Sequence, residues 1–312
     1  MSRTKIFTNK YVVAILAIIA CVLWGSAFPV LKVTYSELGL DSSDTLSRVL
    51  LAGGRFLLAS LMVFAVISFG FRESVKIKGE WVKPLLGLGL AQTGLQYFFF
   101  YNGVAHATGI KSAILNSIGN FLVVIFAHFV YTDDRLNPSK ITGLITGLLG
   151  ILIINWQPDP SGLSWDFTFV GEGFLIFAGL AGVVGTFQAK KLSSTINPLI
   201  VNAYQLLFGS LLLLAFGLPA LWTQDLNPTP MFWGLFVYSA FLSAAAFSIW
   251  YILLKHNKAG EVTFYRFMIP IAGTILSAIF LPGEKITLSV VISLLLVAFG
   301  IAIVNSWNGR GK

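Results

Sequence analysis

Arg55-Phe-Leu-Leu-Ala-Ser-Leu61 returns 150 positions later as Gln205-Leu-Leu-Phe-Gly-Ser-Leu211. Self-similarity at a fixed spacing marks a duplicated unit. The match continues outward in nearly the same register. Gly109 aligns with Gly260, Ser112 with Thr263 and Asp133 with Glu284, each 151 positions apart. Gly147-Leu-Leu-Gly-Ile-Leu-Ile-Ile-Asn155 likewise matches Leu296-Val-Ala-Phe-Gly-Ile-Ala-Ile-Val-Asn305.

The 312 residues around these stretches are 56% apolar and only 11% charged, with a mean hydropathy of +0.82. Soluble domains carry about a quarter charged residues, so a soluble enzyme is excluded. The apolar excess excludes disorder as well. A single cysteine, Cys21, leaves no disulfide framework and no Cys-rich metal site.

A bilayer core about 30 Å thick needs roughly 20 apolar residues per helix. Ten such runs occur: Tyr11–Leu31, Leu46–Phe69, Val82–Val104, Ile110–Tyr131, Pro138–Trp156, Thr168–Ala189, Pro198–Leu218, Met231–Leu254, Ala259–Leu281 and Leu288–Ser306. None alternates polar with apolar, which excludes an outer-membrane barrel. The first run follows Arg3, Lys5 and Lys10 but is too long for a signal peptide and lacks a small-x-small cleavage site. It reads as a retained helix.

The basic residues orient these spans. With the N-terminus inside, fifteen fall in inner segments: Arg3, Lys5, Lys10, Arg72, Lys76, Lys78, Lys83, Arg135, Lys140, Lys190, Lys191, Lys255, Lys258, Arg310 and Lys312. Four fall outside: Lys32, Arg48, Lys111 and Lys285. Acids lean outward, among them Glu37, Asp41, Asp44, Asp159, Asp166, Asp225 and Glu284. Both termini are expected in the cytoplasm. Inner-loop anchoring accounts for the net charge of +8 and leaves a nucleic-acid partner little to explain. The expected fold is an all-α polytopic protein of the cytoplasmic membrane. It comprises a first five-helix repeat over residues 1–156, an external linker over 157–167 and a second repeat over 168–312. Five is odd, so the second repeat enters the membrane inverted. Inverted repeats typify secondary transporters, with the site at the midplane between the halves.

Further residues carry a family resemblance: Trp24-Gly-Ser-Ala-Phe-Pro-Val30, Gly53-Gly-Arg-Phe-Leu-Leu-Ala59, Pro270-Ile-Ala-Gly273 and Leu281-Pro-Gly-Glu-Lys285, followed by a Gly-containing last helix. Together they resemble the EamA-type branch of the drug/metabolite transporter superfamily, over nearly the whole chain. The departures lie in the fourth span, where the family pattern places a proline near Gly119-Asn120 and a Gly-Glu near Asp133-Asp134. The resemblance implies ten helices in two inverted repeats and export or exchange of small metabolites, amino acids or drugs. It also implies that the first, third, fourth, sixth, eighth and ninth helices line the pathway.

Polar residues inside lipid are costly, so they face a cavity or another helix. Gln92, Gln96, Phe99, Gly103 and His106 form one stripe of the third span, and Asn116 and Asn120 step by four in the fourth. In the ninth, Thr263, Arg266, Pro270, Thr274 and Ser277 share an arc of about 80°. The eighth supplies Ser243, Phe247 and Trp250. The amides either line a cavity or bond neighbouring helices.

Two arginines sit inside spans: Arg55, roughly 14 Å deep, and Arg266, roughly 10 Å deep, with no acid at comparable depth. Each must find carbonyls, water or a ligand anion. Trp24, Phe28, Trp250 and Phe264 are candidates to stack on a flat solute. The candidate substrate site is therefore Trp24, Arg55, Gln92, Gln96, Asn116, Asn120, Trp250, Thr263 and Arg266.

Gly143-x-x-x-Gly147 and Gly179-x-x-Gly182-x-x-Gly185 suit close helix packing, and the Gly143 face also suits a homodimer. His106 and His128 read as packing residues or proton carriers. No His-Glu-x-x-His motif, paired midplane aspartates or P-loop is present, so neither an enzyme nor a cofactor is expected. Two readings of the solute stay open: a small organic metabolite of any charge, or an organic anion or phosphate ester taken in exchange.

Overall fold

The computed structural model describes residues 6–41, 43–116, 118–159, 162–165, 167–223 and 226–307. Arg3, Lys5, Asp166, Asp225, Arg310 and Lys312, used above for orientation, lie outside the described residues.

Helix α1 (Lys10–Glu37) begins where the Asn9 side chain accepts from the N–H groups of Tyr11 and Val12. That cap satisfies two of the donors every helix start leaves bare. Helix α2 (Thr45–Ala65) continues through a π turn, Val66–Gly70. The third span holds α3 (Val82–Gly89), a π turn over Leu90–Leu95 and α4 (Gln96–His106). The fourth holds α5 (Gly109–Leu115) and α6 (Ile118–Val130), separated at Asn116. Helix α7 (Pro138–Asn155) ends the first half. Two short antiparallel strands follow, β1 (Trp156–Asp159) and β2 (Gly162–Trp165), with Trp156 opposite Trp165.

A π turn over Phe169–Gly173 leads into α8 (Phe174–Thr195), then α9 (Pro198–Gly217) and the single turn α10 (Ala220–Thr223). Helix α11 (Pro230–His256) is started by Thr229, whose hydroxyl accepts from the Phe232 N–H, with Pro230 at the first position. Proline fits there because its missing N–H has no helical partner to lose. The ninth span comprises α12 (Ala259–Thr263), a 3₁₀ turn over Phe264–Phe267 and α13 (Met268–Phe280). Helix α14 (Leu288–Trp307) is the last.

Among the described residues, seven helical segments are long and apolar enough to cross a membrane. Large apolar side chains such as Phe129, Phe216, Trp222 and Leu288 point outward, as a lipid-facing surface requires. The chain is a multi-pass membrane protein.

The structure refines two expectations, the regularity of three spans and the all-helical fold. The third, fourth and ninth spans are not uninterrupted helices. In the third, Gly87, Gly89 and Gly94 weaken the helix. Gly89 also presses on α9 so closely that a Cβ would lie 2.9 Å from the Gln205 carbonyl oxygen. In the ninth, Pro270 has no N–H to return to the Arg266 carbonyl, and the backbone tightens just before it. The linker, expected as a plain connection, carries the β1–β2 ladder, so the fold is helical apart from this short hairpin.

Helix contacts come in matched pairs. Helix α2 packs on α9 and α7 on α14. Helix α1 packs on α11 and α13; α8 makes the corresponding contacts with α4 and α6. Two carboxylates, Asp134 buried and Glu284 half-buried, follow the same exchange. Asp134, after α6, accepts from the Gly260 N–H at the start of α12, 2.6 Å away. Glu284, after α13, accepts from the Gly109 N–H at the start of α5, also at 2.6 Å. Asp134, not Asp133, is therefore the counterpart of Glu284. Asp134 also holds Lys140 at 2.6 Å.

The glycines of the Gly143-x-x-x-Gly147 motif in α7 resolve similarly. Gly300 of α14 abuts the Gly143 carbonyl, and a Cβ at Gly147 would overlap the Phe121 ring. The Gly143 and Gly147 positions thus pack against the chain's own helices.

Candidate functional site

Arg55 reaches from α2 to α11 and is 2% exposed. Its Nε donates to the Ser239 carbonyl at 3.0 Å and to Ser243 Oγ at 2.9 Å. One terminal nitrogen donates to the Tyr101 hydroxyl at 2.9 Å. The guanidinium also lies 5.1 Å from the Phe56 ring centre. Gly53 and Gly54 bring α2 close to its neighbours: a Cβ at Gly54 would lie 3.1 Å from Phe236. No acid is needed, because neutral oxygens surround the charge.

Arg266 is held differently. Its guanidinium sits 5.1 Å from the Trp24 ring and 5.2 Å from the Trp250 ring, with both indoles to one side. Those rings meet at 64° with centres 5.5 Å apart. Gly25 explains how Trp24 reaches this point. A Cβ there would lie 2.7 Å from the Ala272 Cβ and 2.8 Å from the Gly273 nitrogen, so only glycine lets α1 press onto α13. Trp250 belongs to the α11 stripe that also presents Ser239 and Ser243, so one helix face serves both arginines. Among the described residues Arg266 has no acid partner, and its buried Nε has no acceptor. The buried indole N–H groups of Trp24 and Trp250 and the Asn120 amide nitrogen are also unpaired.

Trp24, Arg55, Gln96, Asn116 and Arg266 line one cavity with Phe28, Tyr97, Phe100 and Ile269. A smaller adjoining space is bounded by Gln96, Asn116, Asn120 and Arg266. The breaks in the fourth and ninth spans thus deliver Asn116 and Arg266 to the same place. The larger space holds about 30 Å³, room for roughly two waters.

Three candidates line neither space: Trp250, which backs Trp24 and Arg266, and two others. Gln92 donates to Gln96 Oε1 and packs against α8, where a Cβ at Gly185 would overlap it. It orients Gln96 rather than reaching the cavity. Thr263 is fully buried with an unpaired hydroxyl and lines neither space. Tyr97 and Tyr101 are the residues that motif reading undervalues. Their spacing of four on one helix face is the available signal.

Other polar groups are consumed by structure. Glu172 holds Lys111 and accepts from Thr168. His106 Nδ1 contacts the Asn102 carbonyl at 2.9 Å, and His128 Nδ1 accepts from the Leu136 N–H at 3.1 Å. No cluster able to hold a metal occurs among the described residues.

The fold and this cavity define a multi-pass helical membrane protein with a polar, aromatic-lined centre shared by both halves. Residues 12–156 and 169–306 each match the EamA-like transporter family, and the chain belongs to that family. It is 27% identical to the uncharacterized transporter YvbV of Bacillus subtilis (strain 168), over 96% of this chain and 93% of that protein. It is also 27% identical to a protein of Salmonella typhimurium named a probable amino-acid metabolite efflux pump, over 87% of each. One solved crystal structure shares the fold with a TM-score of 0.73 at 17% identity, covering 97% of this chain and 99% of that one. Family and relatives are transporters, not enzymes.

Proposed function

We propose that this chain is a secondary transporter that exports a small organic metabolite across the cytoplasmic membrane by alternating access. The observation that carries it is the shared cavity: Trp24, Arg55, Gln96 and Asn116 come from one half, Arg266 and Ile269 from the other. A site at the junction of two related halves is where a rocking motion changes access. At about 30 Å³ the cavity is too small for a metabolite, so loading requires the lining helices to part.

The reading includes ten crossings with both termini in the cytoplasm, as repeats 1–156 and 168–312 around an external linker, 157–167. The fifteen-to-four division of basic residues supports that orientation. Substrate-contacting roles go to Trp24, Arg55, Gln96, Asn116, Asn120, Trp250 and Arg266, with Gln92 and Thr263 behind them.

Purified protein in sealed proteoliposomes, loaded with a mixed metabolite pool and scored by mass spectrometry, tests the reading. Flux should run on gradients alone, because the chain contains no nucleotide-binding loop. A strict ATP requirement overturns it. A reporter active only outside the cytoplasm, fused after Lys312, should be silent.

A further inference from the structure

We infer that the solute is an organic anion lacking an ammonium group, bound through its carboxylate or phosphate at Arg266; this rests on the transport reading above and narrows it. Three observations carry the inference.

The first is an excess of donors. Arg266 Nε, the Trp24 indole N–H and the Asn120 amide nitrogen are buried without acceptors at residues that bound the two adjoining spaces, and the Trp250 indole N–H beside Trp24 is unpaired as well. Buried polar groups are nearly always paired, so a cluster of orphaned donors describes the missing partner: an acceptor-rich group. The second is charge. Arg55 and Arg266 both line the cavity, and no aspartate or glutamate bounds either space. The Gln96 carbonyl oxygen is already taken by Gln92. An ammonium placed here would meet two cations and no carboxylate, and like charges at short range in a poorly hydrated site repel strongly. The third is shape. Arg55 commits Nε and one terminal nitrogen to Ser239, Ser243 and Tyr101, whereas Arg266 lies beside two indole rings and the Nε on its edge has no acceptor. Carboxylates and phosphates bind guanidinium through that edge, by parallel hydrogen bonds. The selection therefore differs from that of a carrier for free amino acids, whose zwitterions need an acid as well as a base.

A matched aromatic series tests this on the full-length protein in detergent: phenylacetate, phenyl phosphate, phenylacetamide, phenylalanine and phenethylamine. Tryptophan fluorescence reads binding beside Trp24 and Trp250, and counterflow in proteoliposomes reads transport. At least one of the two anions should bind about tenfold or more tightly than phenylalanine and phenethylamine, and the stronger one identifies the headgroup. Arg266→Gln should weaken that anion by about tenfold or more, and Arg266→Lys by less, since ammonium keeps charge but loses the fork. Gln96→Glu should weaken the anion and strengthen phenylalanine. The inference is overturned if neither anion binds, if phenylalanine or phenethylamine binds as well as the anions, or if Arg266→Gln leaves anion affinity unchanged. Flux of amines or zwitterions alone would sink the anion and keep the transporter. No flux of any of these solutes or of the mixed pool would sink the transporter itself.

Discussion

Arg55, buried, and Arg266, half-buried, are both cations without an acid beside them, yet their surroundings are opposites. Around Arg55, a carbonyl, a serine and a tyrosine engage two of the three guanidinium nitrogens and tie α2 to α4 and α11. Around Arg266, indole faces steady the charge and leave its edge unsatisfied. Cation–π contact is worth about 0.5–2 kcal/mol, enough to position a guanidinium but less than a full set of charge-assisted hydrogen bonds. An arginine inside a membrane is therefore not one kind of feature. Its partner list separates a cavity arginine that also ties helices together from one whose binding capacity is uncommitted.

Stability measurements on single variants sharpen that contrast. Arg55→Leu should cost most, about 4 kcal/mol, since it abandons three charge-assisted bonds and strands the Tyr101 hydroxyl. Thermal unfolding in detergent reads the loss. Asp134→Asn should follow at about 2 kcal/mol, because Lys140 is buried and would lose its carboxylate. Its counterpart Glu284→Gln should cost about 1 kcal/mol, as an amide oxygen can still accept from the Gly109 N–H. Arg266→Gln should change stability least, by under about 1 kcal/mol, since it removes an unsatisfied charge along with its ring contacts. If Arg266→Gln destabilises as much as Arg55→Leu, the distinction between the two arginines fails.

Hydropathy makes much of this molecule legible in the sequence. A charge or amide in an apolar run stands out, so Arg55, Arg266, Gln96 and Asn116 can be picked without coordinates, and the 150-residue echo pairs the halves. What hydropathy does not record is backbone detail. A π turn over Leu90–Leu95 and a 3₁₀ turn over Phe264–Phe267 contain the same apolar residues as a straight helix. Partner lists are hidden for a related reason. Gln92 and Gln96 look equivalent along a stripe, but only the structure shows one spent on the other. Asp133 and Asp134 are indistinguishable by alignment, and a one-residue difference decides which carboxylate is buried against Gly260.

The exchanged carboxylates bear on how such a chain came to exist. Asp134 completes a helix start in the second half, and Glu284 completes the matching start in the first. A lone half would have one bare helix start and one stranded carboxylate. A second copy of that half, turned over against it, would supply what each lacks. The chain thus has the contact logic of a homodimer whose subunits have been spliced in series. Neither half can drift in sequence at these positions without the other, and the ancestor of either would have gained by meeting a second copy of itself.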